Sequence, residues 1–280
     1  METVTAGRSV RANGIDIHYV EQGEGEPLLL LHGGMVSSSS IWAGVSVSYA
    51  SHLATLAERF RVIAPDARGC ARTAHAGGSI SYALLADDVA ALIEALELDR
   101  PLVAGFSDGG IIATILGIRR PGTLRAIVND AGYDFFNAES ASFPKMRAIL
   151  GGSPDATRAD PDAVERSFAQ APRPMQAIFE LMKTDQDSAQ GEGYWRTYLE
   201  RSFDRTTQWP GWTFEDLRTI DVPTLILVGD RDEFCTVEEA VTAYRSLPNG
   251  ELAIVPNASH VITVAKVNAM IGFLDRHRSR

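Results

Sequence analysis

An α/β fold, with a mostly parallel sheet covered by helices on both faces, is predicted for this 280-residue chain by three observations. Short apolar runs alternate with amphipathic stretches up to Asp130 and again after Val222, the order that βαβ units produce. The run Val222-Pro223-Thr224-Leu225-Ile226-Leu227-Val228 is apolar almost throughout instead of alternating, which marks a strand buried on both faces. Between Tyr133 and Trp212 the alternation stops. This stretch holds three of the four tryptophans (Trp195, Trp209, Trp212) and helical patterns such as Met175 to Met182, and it reads as a helical insertion between two core strands.

The elements follow in order. Val10 to Ala12 and Ile15 to Glu21 form an opening hairpin around Asn13-Gly14, a residue pair suited to the positive φ angles of a two-residue turn. Strands are expected near 27–32, 60–64, 101–106, 124–130, 222–228 and 251–255, and helices near 51–59, 80–97, 108–120, 236–246 and 261–276. In the helix from Ser81 to Leu96, the residues Leu84, Leu85, Val89, Leu92, Ile93 and Leu96 mark one buried face. Reactive groups are then expected at the carboxyl ends of the strands.

Composition narrows the function classes. An apolar fraction of 45% supports one large core. A net charge of −10, with no basic stripe, argues against nucleic acid. Two cysteines, Cys70 and Cys235, make no disulfide framework, so free thiols are expected. The first nine residues lack a basic-then-apolar leader, and no segment approaches the ~20 apolar residues of a membrane span. A cytoplasmic protein with no membrane partner is the expectation, with a homodimer left open.

The chemistry is carried by Gly105-Phe106-Ser107-Asp108-Gly109, between the apolar run Pro101 to Ala104 and a helical stretch from Gly110 to Leu116. A serine between glycines, where a buried strand turns sharply into a helix, reads as a nucleophile elbow. A serine alcohol is a weak nucleophile at neutral pH and needs a base and an orienting acid, which follow such an elbow in the order acid, then His. His18, His52, His75 and His277 fall in a strand pattern, an amphipathic stretch, a Gly/Ala-rich loop and a charged tail, and His32 lies too early. His260, after the strand Glu251 to Val255 and the turn Pro256 to Ser259, is the candidate base. For the acid, Asp230, Asp232 and Glu233 compete after the strand ending at Val228, and Asp130 after the earlier one.

With these motifs the chain resembles the α/β hydrolases over nearly its whole length. Leu31-His32-Gly33-Gly34 resembles their His-Gly-x oxyanion motif, and Val62-Ile63-Ala64-Pro65-Asp66-Ala67-Arg68-Gly69 the adjoining strand and turn. There the family usually continues Gly-x-Gly-x-Ser, whereas this chain reads Gly69-Cys70-Ala71-Arg72-Thr73, a departure that touches one pocket wall and not the triad. The resemblance implies an eight-stranded, mostly parallel sheet, with a hydrolase core over 1–133 and 213–280 and a helical cap over 134–212. It implies Asp232 as the acid, through the Gly-Asp-x-Asp form, giving the triad Ser107, Asp232 and His260. It implies oxyanion donors at the N–H groups of Gly34 (alternatively Met35) and Asp108. Trp42, in an unusually long connection from Met35 to Ala50, and Phe135, Phe136, Phe179, Trp195 and Tyr198 in the insertion are the candidate substrate-binding residues, with Met146, Met182 and Tyr194 as further pocket candidates.

The implied activity is hydrolysis of a carboxylic ester or lactone of an apolar small molecule through an acyl-enzyme, with no metal or organic cofactor. A serine at the elbow speaks against dehalogenase and epoxide hydrolase chemistry, whose ester intermediates need a carboxylate. The alternatives are amide, thioester or carbon–carbon bond hydrolysis, a cyclase or lyase of secondary metabolism, and a ligand sensor on a hydrolase scaffold. Ser107-Asp108-Gly109-Gly110 also resembles the elbow of valacyclovir hydrolase, where the acidic residue recognises a substrate ammonium group. That keeps an amino-ester substrate open, against a plain helix-capping role for Asp108.

Overall fold

The computed structural model of the protein describes residues 7–37, 53–132 and 142–279. Trp42, Phe135 and Phe136 lie outside the described residues, as does most of the Met35–Ala50 connection. Strands β1 (Arg8–Ala12) and β2 (Ile15–Gln22) form the opening hairpin, with Asn13 and Gly14 both at positive φ. After them come β3 (Pro27–Leu31), β4 (Arg61–Pro65), β5 (Leu102–Phe106), β6 (Ala126–Asp130), β7 (Thr224–Gly229) and β8 (Gly250–Val255). They form one eight-stranded sheet in the order β1-β2-β4-β3-β5-β6-β7-β8, in which β2 runs antiparallel to β1 and β4 and every other pairing is parallel.

Side chains alternate between the two faces of a strand, and here both faces are buried. Leu29, Leu31, Ile63, Val103, Ile127 and Ile226 pack in one core with α2 (Tyr82–Ala95), α3 (Asp108–Arg119) and α9 (Val237–Ser246). Their neighbours Leu28, Leu30, Val62, Leu102, Val128 and Leu225 pack in a second core with α1 (Leu53–Ala57) and α10 (Val264–His277). This double burial, worth roughly 1.5–3 kcal/mol for each fully buried large side chain, is why the strands read as continuous apolar runs. Ser81 caps α2 by accepting from the Leu84 N–H, and Thr236 with Glu239 forms a capping box on α9.

Between β6 and β7 lie α4 (Phe143–Gly151), α5 (Pro161–Ala169), α6 (Arg173–Gln190) and α7 (Tyr194–Thr207), followed by the short α8 (Phe214–Arg218). Helices α4–α7 build a third core around Leu150, Val164, Phe168, Phe179, Met182, Trp195, Leu199 and Phe203, which also takes in Cys70 and Ala71 from the loop after β4. Phe179 stacks on Phe168 at 4.6 Å and meets Trp195 edge-on at 5.6 Å. Trp209 and Trp212 leave this layer and pack on the main core, Trp209 edge-on to Tyr82 at 5.5 Å. No described helix is long and apolar enough to cross a membrane.

Candidate active site

Ser107 sits between β5 and α3 with φ 53° and ψ −119°, a conformation rare outside glycine that costs about 1–3 kcal/mol. Its neighbours explain why the chain accepts that cost. A Cβ at Gly105 would lie 2.0 Å from the Gly109 carbonyl oxygen, and one at Gly109 would lie 2.3 Å from that of Leu31. The turn closes only with glycine at both positions. The Ser107 N–H donates to the Asp130 carbonyl at 2.8 Å, and its own carbonyl accepts from Gly110 and Ile111, so the elbow is tied to β6 and α3 at once.

His260 follows β8 and lines the same cavity as Ser107. Its Nδ1 lies 3.0 and 3.1 Å from the two carboxylate oxygens of Asp232, whose side chain is fully buried. Asp232 Oδ1 also accepts from the N–H groups of Phe234 and Cys235. Burial works against charge on Asp232, but the hydrogen bond and charge of His260 and those two amides outweigh it and hold the carboxyl below the usual carboxylate range. The His260 ring is flanked by Phe106 at 5.0 Å and Phe234 at 4.9 Å. Among the described residues the Ser107 hydroxyl makes no hydrogen bond to His260; such contacts are often loose until substrate is bound.

Sequence alone left three other acids open, and the structure engages each elsewhere. Asp230 accepts from the Ala258 N–H and braces the loop that carries His260. Glu233 accepts from the backbone N–H of His260 at 3.0 Å. Asp130 is paired with Lys266, Oδ1 to Nζ 3.1 Å, with both side chains fully buried. Burial raises the Asp130 carboxyl above its ordinary value, opposed chiefly by the Lys266 charge. Lys266 Nζ also donates to the His260 carbonyl at 3.2 Å, so His260 is held at its ring, its N–H and its C=O.

The loop after β3 forms the facing wall. His32 is structural: its Nε2 accepts from the Ala67 N–H at 3.0 Å, so the proton sits on Nδ1, which donates to the Gly33 carbonyl at 2.8 Å. Gly34 and Met35 follow in a turn and line the cavity beside Ser107 and Asp108. The N–H of Asp108 opens α3, where no intrahelical partner exists. The Asp108 carboxylate is already engaged, Oδ2 by Arg205 at 2.8 Å and Oδ1 by the Tyr82 hydroxyl at 3.0 Å. A substrate ammonium at Asp108 would share the carboxylate with a guanidinium and a phenol.

The cavity has an empty volume of about 870 Å³, part of it open to solvent. Met146, Ile149 and Leu150 of α4 and Met175 and Ile178 of α6 supply an apolar wall, and Ser202, Arg205 and Thr206 of α7 a polar corner. Of the expected pocket residues, Met146 is among them. Phe179, Met182 and Trp195 are not: they fill the layer's internal core, because helices packed on one another must bury one aromatic face among themselves. Tyr194 binds the Gly69 carbonyl instead. Tyr198 lines a smaller pocket with Gly34, Asp108 and Arg205, its hydroxyl on the Gly34 carbonyl; burial pushes its phenol well above the ordinary value, which keeps it a neutral donor.

Sequence reading found Met146 but missed the rest of the layer's lining, whose signal is the spacing of 146, 149 and 150 and of 202, 205 and 206 on single helix faces. It also missed Lys266, a lysine on the apolar stripe of α10. Asp232, Cys235 and His260 are the only described group whose metal-binding atoms lie close together, within 4.8 Å. These atoms are hydrogen-bonded already, Cys235 Sγ to the Ala131 carbonyl at 3.0 Å, so they form a closed set and not an open cage. Cys70 and Cys235 are both buried and form no disulfide with each other.

Comparison with known proteins agrees with the fold. A model of the Alpha/beta hydrolase family matches residues 28–266. A putative non-heme chloroperoxidase from Synechocystis is 27% identical, with 94% of each chain covered. An (E)-2-((N-methylformamido)methylene)succinate hydrolase from Acinetobacter baylyi is 26% identical, covering 94% of this chain and 96% of that one. Among solved structures, a mutant meta-cleavage product hydrolase superposes with a TM-score of 0.73 at 20% identity, over 96% of this chain and 98% of that one.

Proposed function

We propose that this chain, which belongs to the alpha/beta hydrolase family, is a serine hydrolase that cleaves a carboxylic ester or lactone of an apolar small molecule through an acyl-enzyme. One observation carries the assignment. A serine held at positive φ on a strand–helix elbow shares its cavity with a histidine whose Nδ1 is bonded to a buried aspartate.

In the proposed cycle His260 takes the Ser107 proton at Nε2 as Oγ attacks the carbonyl carbon, and Asp232 holds the imidazole in the required tautomer and stabilises its charged form. The N–H groups of Asp108 and of Gly34 or Met35 receive the oxyanion, roughly 3 kcal/mol for a donor of this kind. The alcohol leaves with the proton from His260, and water repeats the sequence on the acyl-enzyme. Helices α4–α7 act as the cap: their apolar wall over Ser107 selects the acyl or alkyl chain and excludes water, which strengthens the oxyanion contacts. An apolar lining of this size favours a substrate of several carbons beyond the reacting group.

Turnover of p-nitrophenyl esters of graded chain length tests this reading. Sustained multiple turnover, rising with chain length and lost in Ser107→Ala, is expected. A single stoichiometric burst would point to a sensor on a hydrolase scaffold, and no release of p-nitrophenol from any ester would point to carbon–carbon or lyase chemistry.

A further inference from the structure

Helix α7 reaches the expected oxyanion hole at two points. Tyr198, Ser202 and Arg205 lie on one of its faces, at spacings of four and three residues. Tyr198 donates to the carbonyl of Gly34, and Arg205 Nη2 lies 2.8 Å from Asp108 Oδ2, with Ser202 Oγ 3.4 Å from the same nitrogen. The ion pair is almost dry, with the side chains 6% and 8% exposed. The fully buried Tyr82 closes it from below, its hydroxyl on Asp108 and its ring 5.3 Å from the guanidinium.

The location of this carboxylate matters more than its burial. A Cβ built on Gly34 would sit 2.8 Å from Asp108 Oδ2, so the carboxylate lies against the backbone of one expected donor and belongs to the residue that supplies the other. A bare negative charge there would repel the oxyanion that the two N–H groups are meant to stabilise. Water screens it little, because the pair is almost fully buried. The positive charge that offsets it comes from α7, outside the α/β core. Arg205 Nε is buried without a hydrogen-bond partner, so the guanidinium is not seated for its own best bonding. Its charge next to Asp108 is the feature the geometry provides.

We infer that Arg205 is a positioning residue of the catalytic site: by neutralising Asp108 beside the oxyanion hole, it makes docking of α7 on the core a condition for transition-state stabilisation. The inference rests on the serine-hydrolase assignment above. It goes further, because it makes the layer that selects substrate also an electrostatic component of the chemistry.

The test is a charge cycle on p-nitrophenyl ester turnover, with Ser107→Ala run alongside and melting temperature measured for every variant. Arg205→Met should lower kcat by about 10²-fold, the scale of losing one oxyanion donor, with KM changed by less than about threefold. Arg205→Lys, which keeps the charge, should restore most of that loss. Asp108→Asn combined with Arg205→Met should recover kcat at least about tenfold over Arg205→Met alone, although its melting temperature stays lowered. A purely structural pair would regain kcat only together with melting temperature, since removing the second charge relieves the uncompensated buried one. The inference is overturned if Arg205→Met leaves kcat within about threefold of wild type, or if adding Asp108→Asn brings no recovery. Should Arg205→Met not fold, Asp108→Asn alone decides, because it leaves the arginine charge unopposed: a rise in kcat supports the inference and a fall overturns it. An active Ser107→Ala would remove the serine assignment itself, whereas an inactive one with a flat charge cycle would remove only this inference.

Discussion

The α/β core and the α4–α7 layer meet at one cavity and furnish it in different ways. From the core come groups fixed by backbone geometry: Ser107 on a strained elbow, the Gly34 turn after β3, Asp232 after β7 and His260 after β8. Each stands at the carboxyl end of a strand, where the parallel sheet leaves no choice of direction. From the layer come side chains on the cavity-facing sides of helices that have already satisfied themselves inwardly, with Phe179 and Trp195 in the layer's core and Met146, Ile149, Met175 and Ile178 along the cavity. In the core, position dictates chemistry. In the layer, only the helix face does: the apolar groups of the cavity wall are interchangeable and tune shape, while Arg205 is tied to Asp108 of the core.

That contrast predicts rate effects in the core and preference effects along the apolar wall of the layer, with Arg205 the layer residue expected to act on rate. Ser107→Ala should abolish ester turnover, by at least ~10³ and toward the ~10⁶ seen when a triad serine is lost, without lowering the melting temperature. Retention of a tenth of wild-type activity would break the contrast at its strongest point. Asp232→Asn should cost about 10⁴ in kcat by favouring the wrong imidazole tautomer. Asp130→Asn should cost much less, because Asp130 meets Lys266 and not the ring; the reverse order would move the acid to β6.

In the layer, Ile178→Ala should change the ratio of kcat/KM between long and short acyl esters by about tenfold, the worth of one or two methylenes in an apolar pocket, with short-ester kcat nearly constant. Phe179→Ala should do the opposite, costing about 3–5 kcal/mol of stability and leaving the chain-length ratio alone. If Phe179→Ala shifts the ratio as strongly as Ile178→Ala, core-facing and cavity-facing sides are not separable.

The smallest effect concerns pH. The Asp232 carboxyl is held below the usual range, so its contribution to stability is present above the unfolded value of about 3.9 and is lost as pH falls through the folded one. The stability gap between wild type and Asp232→Asn should therefore narrow on acidification below about pH 4 in urea unfolding. A gap that widens there has the wrong sign.

The same contrast explains what could be read from the amino-acid sequence. The strands were legible because burial on two faces makes them continuously apolar, and the elbow because Gly105 and Gly109 face backbone that tolerates no Cβ. The hairpin announced itself in Asn13-Gly14. Of the layer's share of the cavity lining only Met146 was legible, because aromatic size marks what a helix buries, and here the helices bury Phe168, Phe179 and Trp195 in one another. Arg205 and Lys266 were hidden for another reason. A buried cation is recognisable only with its partner, and Asp108 and Asp130 lie 97 and 136 residues away along the chain.

The most direct test of a Ser107 nucleophile is covalent capture. Incubation with a fluorophosphonate, which phosphonylates activated serines, followed by intact mass and peptide mapping, should give one adduct per chain, on the peptide containing Ser107. Labelling should be absent in Ser107→Ala and strongly slowed in Asp232→Asn. No adduct on the folded wild-type protein, or an adduct on another serine that persists in Ser107→Ala, would contradict the assignment.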